Sequence, residues 1–250
     1  ALSDALKTNS TLETLELRSN EVGAAGAQSL AGMLQVNRAL KSADFSVNIH
    51  IEDEGTAALS DALKSNSTLE ELELWQNEIG VAGAQSLANM LQFNRALNSI
   101  NLLKNDLGED GLAYIAAAWE QSTSLKSVCG IAAGETTAGL QNQRLGPADA
   151  RIIALELRFN RALIRANLDC NNIGDEGAIA ISAALESNTT LEDLSLMPYS
   201  NGTKITAVGA QAIAKMLEVN SSLTSVNLLN NDLGGGAATV VAAAKQNGNI

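Results

Sequence analysis

The segment from Leu12 reads Leu12-x-x-Leu15-x-Leu17, short and two-faced, which predicts a strand with one buried side. After Asn20 and Val22-Gly23 the pattern changes. Ala27, Leu30, Ala31 and Leu34 stand at offsets of 0, 3, 4 and 7, which marks one face of a helix. Gly23 and Gly26 punctuate the turn between the two. Leucines leading such strands recur at Leu12, Leu40, Leu69, Leu97, Leu125, Leu163, Leu191 and Leu223. Residues 1–42 are moreover rewritten almost verbatim as residues 58–99. Self-similarity at a fixed period predicts an array of about eight stacked strand-turn-helix units.

The steps between leading leucines are 28, 29, 28, 28, 38, 28 and 32 residues. Stacking tolerates an insertion only in a loop, so the long steps predict loop insertions near residues 48–52, 132–141 and 198–201. A strand is predicted over residues 125–131, with the longest insertion following it. Asn20, Asn77, Asn105, Asn171 and Asn231 occupy one place, where the chain leaves the strand and its backbone groups need partners. A stacked amide can bond them in unit after unit. The chain opens on the helical half of a unit and closes just before another strand is due, so a single domain that is a piece of a longer array is expected.

The pattern Leu-x-x-Leu-x-Leu-x-x-Asn-x-Ile-Gly, seen as Leu69-Leu72-Leu74-Asn77-Ile79-Gly80 and again as Leu163-Ala166-Leu168-Asn171-Ile173-Gly174, resembles the leucine-rich repeats of the ribonuclease-inhibitor type. The resemblance covers essentially the whole chain. It implies a right-handed α/β horseshoe with parallel strands on the concave face and helices on the convex face. Gln143 and Thr203 depart from the pattern at asparagine positions.

If the leucines point inward, the residues between them point to the concave surface. The N-terminal half then presents Glu16, Asp44, Glu71 and Glu73 against Arg18, while Trp75, Leu103, Ile131, Met197 and Leu229 make the third position of several strands apolar. Glu16, Arg18, Asp44, Glu71, Glu73, Trp75 and Leu103 are the candidate partner-binding residues, Trp75 being the kind of side chain that anchors an interface. A net charge of −12 disfavours nucleic acid and favours a basic protein surface, although acidity also serves solubility alone.

Little else suggests chemistry. His50 is the single histidine and has carboxylates beside it, yet no second histidine or nucleophile accompanies it. Asp53-Glu54, Glu109-Asp110 and Asp175-Glu176 recur after the glycine turn, where acidic residues suit the positive end of a helix. Gly234-Gly235-Gly236 lacks the Gly-Lys-Ser/Thr ending of a phosphate loop. Glycosylation-type sequons begin at Asn9, Asn66, Asn188, Asn201 and Asn220, four of them at one place in the repeat. Cys129 is expected as a reduced concave thiol and Cys170 as a reduced turn residue, neither in a disulfide framework. No apolar run is long enough to span a membrane.

These readings point to a non-catalytic protein-interaction scaffold, without cofactor or metal, in an intracellular (cytoplasmic) setting. Two alternatives stand beside it. One is a GTPase-activating regulator, for which Arg18 is the concave basic residue at the N-terminal end. The other is a structural or sensor segment of a larger assembly, docked through its inserted loops.

Overall fold

The computed structural model describes residues 1–248. It divides into two compact units, Ala1–Ala133 and Gly134–Ile250. The first unit runs α1 (Leu2–Thr8), β1 (Thr14–Glu16), α2 (Ala24–Leu34), β2 (Ser42–Asp44), α3 (Glu52–Leu63), β3 (Glu71–Glu73), α4 (Val81–Leu91), β4 (Ser99–Asn101) and α5 (Gly108–Gln121). The second runs β5 (Thr137–Gly139), α6 (Pro147–Phe159), β6 (Arg165–Asn167), α7 (Gly174–Leu185), β7 (Asp193–Ser195), α8 (Ala207–Val219), β8 (Ser225–Asn227) and α9 (Gly236–Asn247). Each unit is an α/β solenoid with one four-stranded parallel sheet, ordered β1-β2-β3-β4 in the first and β5-β6-β7-β8 in the second.

The middle residue of each strand from β1 to β7 is buried in the core. Leu15, Ala43, Leu72 and Ile100 form one in-register row, none more than 8% exposed. Leucines of the helices meet them from the other side, among them Leu30, Leu34, Leu59, Leu63, Leu87 and Leu91, all buried. Fully burying a leucine contributes roughly 1.5–3 kcal/mol, so repetition of this layer is the main attraction holding successive repeats together. The helices must also pack closely. A Cβ placed on Gly55 would lie 2.9 Å from the Ala27 Cβ of the preceding helix, and one on Gly177 would lie 2.8 Å from that of Ala150. Hence the repeated glycine in the first helical turn faces a repeated alanine.

The asparagines do what the pattern requires. The Asn105 carboxamide oxygen accepts the amides of Asn77 and Ile79 at 2.9 and 3.0 Å, and its nitrogen donates to the carbonyls of Leu74 and Leu102. Asn171 makes the corresponding four bonds in the second unit, to Gln143, Leu145, Leu140 and Leu168. Asn48 belongs to the same series, bonding Asn20, Val22, Leu17 and Phe45. The spacing to the helical glycine is one residue longer after Asn48 than after Asn20, which places the extra residue of that repeat in the turn before Gly55. A second series lies where helices return to strands. Asn37 donates to the carbonyls of Leu6 and Asn9 of the repeat before it, and accepts the amides of Ala39 and Leu40. Asn66, Asn94, Asn188 and Asn220 reach back to the preceding helix end in the same way.

The segment 125–131 differs from expectation. It is not a continuous strand. Ser127 makes a parallel bridge to Ser99, and Cys129 an antiparallel bridge to Asn101, so the chain turns out of register within three residues. The cause is at Gly130. Where Leu74 and Leu102 supply the third consensus leucine, Gly130 has no side chain to bury, and it adopts a φ of +71° at little cost. The next regular strand, β5, lies inside residues 132–141, the stretch for which the step length predicts an insertion. Residues 198–201 form a turn after β7, closed by the Gly202 amide on the Tyr199 carbonyl.

The two asparagine environments make a direct test possible. Asn105→Ala leaves buried backbone groups without partners and is expected to cost about 3 kcal/mol or more. Asn20→Ala removes an exposed side chain bonded only to the Arg18 carbonyl and is expected to cost under about 1 kcal/mol. Urea unfolding of both variants checks the difference; equal losses would show that the ladder does not hold the turns.

Candidate functional site

On the outward side of the first unit's sheet the register builds three rows. The first is Thr14, Ser42, Glu71 and Ser99; the second is Glu16, Asp44, Glu73 and Asn101. Just past the strands comes Arg18, Ser46, Trp75 and Leu103, kept in step by the Ser19 amide on the Ser46 carbonyl and the Val47 amide on that of Trp75. Adjacent parallel strands stand about 4.8 Å apart, so Glu16, Asp44 and Glu73 are like charges at neighbouring positions. Residues 1–133 hold 17 acidic and 8 basic side chains, against 11 and 8 in residues 134–250, so the acidity is concentrated in this unit.

Glu16 and Arg18 are exposed, whereas Asp44, Glu71, Glu73 and Trp75 are half-buried. The Glu73 Oε2 accepts a 2.7 Å hydrogen bond from the Asn101 amide nitrogen. Gly130 lies against this pair, close enough that a Cβ there would be 2.8 Å from both Glu73 Oε1 and Asn101 Nδ2. Burial pushes the Glu73 carboxyl above its usual value; the Asn101 bond and the Arg18 charge oppose this, while Asp44 and Glu71 reinforce it. The Arg18 guanidinium carbon sits 5.1 Å from the centroid of the Trp75 ring, reaching across Ser46, which is only 2% exposed.

Leu103 does not belong to this surface. It is fully buried, and Ser99, Ser127, Cys129 and Ile131, expected on the concave face, are buried too. The out-of-register turn at 127–131 takes Ser127, Cys129 and Ile131 off the sheet face instead of continuing it. Cys129 is therefore a buried thiol; Cys170, at φ +55°, is the half-buried turn residue expected. The signal for this departure is visible in the sequence as a glycine, Gly130, at a consensus-leucine position.

On the second unit's sheet Asp169, Ser195 and Asn227 are joined by hydrogen bonds. The Ser195 hydroxyl donates to Asp169 at 2.5 Å and accepts from Asn227 at 2.8 Å, and Asp169 also accepts the Met197 amide. The Tyr199 hydroxyl donates to Asn142 two repeats away.

A profile described as Leucine Rich repeat matches residues 8–31, 65–88 and 167–182. The ribonuclease inhibitor of Sus scrofa is 26% identical over 229 residues, covering 91% of this chain and 41% of the relative. That of Mus musculus is 27% identical over 248 residues, covering 98% and 45%. The chain is built of leucine-rich repeats and is similar in sequence to these ribonuclease inhibitors. It spans less than half the length of these relatives. Among solved structures, the yeast complex of Rad7 and Elc1 contains a chain 14% identical at a TM-score of 0.42, with coverage of 98% of this chain and 67% of that one.

The remaining chemical candidates of this leucine-rich-repeat protein have places in the repeat. His50 is an exposed residue of the turn before α3. Asp53, in the first turn of α3, accepts the Gly80 and Gly83 amides at 2.7 and 2.9 Å, so it caps the helix of the next repeat rather than only its own. Asp175 does the same for α8, accepting from Thr206 and Gly209. Burial raises the Asp175 carboxyl, but the bonds from the Thr206 hydroxyl, the Thr206 amide and the Gly209 amide outweigh it and hold the group below its usual value. Gly235 and Gly236 lead into α9, where a Cβ on Gly236 would meet Ala210 at 2.6 Å. Asn66, Asn188 and Asn220 are at most 3% exposed, so their sequons are rungs of the second asparagine series and closed to modification in the folded chain. Asn9 is half-buried and Asn201 exposed.

Glu73 gives a signed pH dependence. A carboxyl raised on folding binds its proton more tightly in the folded state, so its contribution to stability is full below the unfolded value and is lost as pH rises through the folded one. Glu73→Gln removes that loss. Its melting temperature should exceed that of the parent at pH 7, and the gap should close as pH falls toward 4, about the ordinary carboxyl range. Thermal unfolding across that range checks this; a gap independent of pH would refute it.

Proposed function

We propose that this leucine-rich-repeat protein is a non-catalytic scaffold that binds a protein partner on the acidic sheet face of residues 1–133. The observation that carries the reading is the in-register row Glu16, Asp44 and Glu73, flanked by Glu71 and by Trp75. Placing like charges side by side costs stability that a fold alone does not require, and an incoming basic surface removes the cost. Trp75 offers the large, partly exposed apolar area on which interface energies concentrate. The partner is a protein with a basic surface. The relatives are named as inhibitors of a ribonuclease, which is itself a protein, and this agrees with a protein ligand.

A basic ribonuclease is therefore the first probe. Its affinity should fall steeply with added salt, because exposed charges are screened beyond about 8 Å at physiological ionic strength. Glu16→Lys combined with Glu71→Lys should weaken binding about tenfold or more, mainly through the association rate. Glu218→Lys, on the exposed side of α8, should leave it unchanged. Calorimetric or surface-plasmon titration reads both. Equal effects per reversed charge in the two variants would show that net charge, and not this face, governs the interaction.

A further inference from the structure

Two guanidinium–ring contacts occur among the described residues: Arg158 lies 5.1 Å from the ring of its chain neighbour Phe159, whereas Arg18 reaches the Trp75 ring from two repeats away. Arg18 is exposed and makes no ion pair among the described residues, although Glu16, Asp44 and Glu73 stand in the adjoining row. Its guanidinium is held by the ring face, 5.1 Å from the centroid, and by the surrounding negative field. The path is open because Ser46, the residue between them in register, is small and buried. The two partners also occupy equivalent positions of the duplicated block: residue 18 in residues 1–42 aligns with residue 75 in residues 58–99. Platform and occupant thus sit at one place in the two copies, two strands apart.

We propose that Trp75 is a receptor for an arginine side chain of the partner, and that Arg18 occupies it in the unbound chain as an internal stand-in. The inference rests on the sheet face of residues 1–133 being the docking surface. A planar guanidinium suits a ring face better than the strongly hydrated ammonium of lysine. The incoming group replaces Arg18 on the ring and comes within the field of Asp44, Glu71 and Glu73, all half-buried and two of them raising the third's carboxyl. Arg18, freed, swings into solvent. An exposed stack of this kind is worth only about a two- to five-fold preference, weak enough to exchange readily.

The probes are hexa-arginine and hexa-lysine peptides, added to the nitrogen-15-labelled chain. Trp75 and Trp119 give separate indole signals, because Trp119 is buried and donates to the Leu125 carbonyl. Trp75→Phe identifies which is which and keeps an aromatic ring should Trp75→Ala unfold. Hexa-arginine should move the Trp75 indole signal and leave that of Trp119 in place. Arg18→Gln should bind hexa-arginine about two- to five-fold more tightly than the parent, and Trp75→Ala should erase the preference for arginine over lysine. If Arg18→Gln binds no more tightly and the Trp75 signal stays still, while Glu16→Lys/Glu71→Lys abolishes binding, the stand-in is refuted and the docking face survives. If neither peptide binds parent or Arg18→Gln, both fall. A lowered melting temperature of Arg18→Gln with unchanged affinity would assign the stack a purely structural role.

Discussion

The amide of one asparagine per turn is the interaction on which the rest of the chain depends. A three-residue strand that turns at once leaves amides and carbonyls pointing at nothing, and a buried group without a partner costs about 1–3 kcal/mol. Asparagine presents two donors and a two-lone-pair acceptor on a short stem. Asn48, Asn105 and Asn171 each close two amides of one repeat and carbonyls of two repeats, so the bond that makes the turn also joins neighbours. The second series, from Asn37 onward, does this at the other end of the helices. At Thr203 the rung is missing, and the Thr203 amide turns instead to the Asn172 side chain.

With the turns secured, the outward residues of the sheets are relieved of structural work. Their freedom explains how the duplicated block could keep its leucines and turn glycines while Thr14 is matched by Glu71 and Arg18 by Trp75. Parallel register then sets the chemistry: residues 28 or 29 apart in sequence become neighbours on one face. Like charges accumulate along the second row, and Glu73, the carboxylate most shielded by Asn101 and Gly130, is the one whose proton affinity rises. The same register sets the Arg18 and Trp75 side chains two strands apart with a serine between them.

Much of this is legible in the sequence because the repeat constrains each position many times over. A period seen eight times identifies strand, turn and helix even where a single copy is ambiguous, and it accounts for the paired carboxylates, the triple glycine and most sequons as parts of the repeat. Where a copy departs from the consensus the averaging fails. Gly130 stands once against a column of leucines and a phenylalanine, and treating it as a minor variant predicts a continuous strand at 125–131, a concave Cys129 and an exposed Leu103. The first two departures share one cause, the loss of a single buried side chain that keeps the strand in line.

Sequence alone determined the element order, the inward row of leucines and the asparagine positions, because these follow from local periodicity and from hydrogen-bond stoichiometry that every repeat must meet. Tertiary structure decided which outward residues are surface at all, that Arg18 lies on Trp75, and that Asp53 and Asp175 cap helices of the repeats after their own. Those facts depend on distances between residues 27 to 57 positions apart, and side-chain reach across a stack is written in no local pattern.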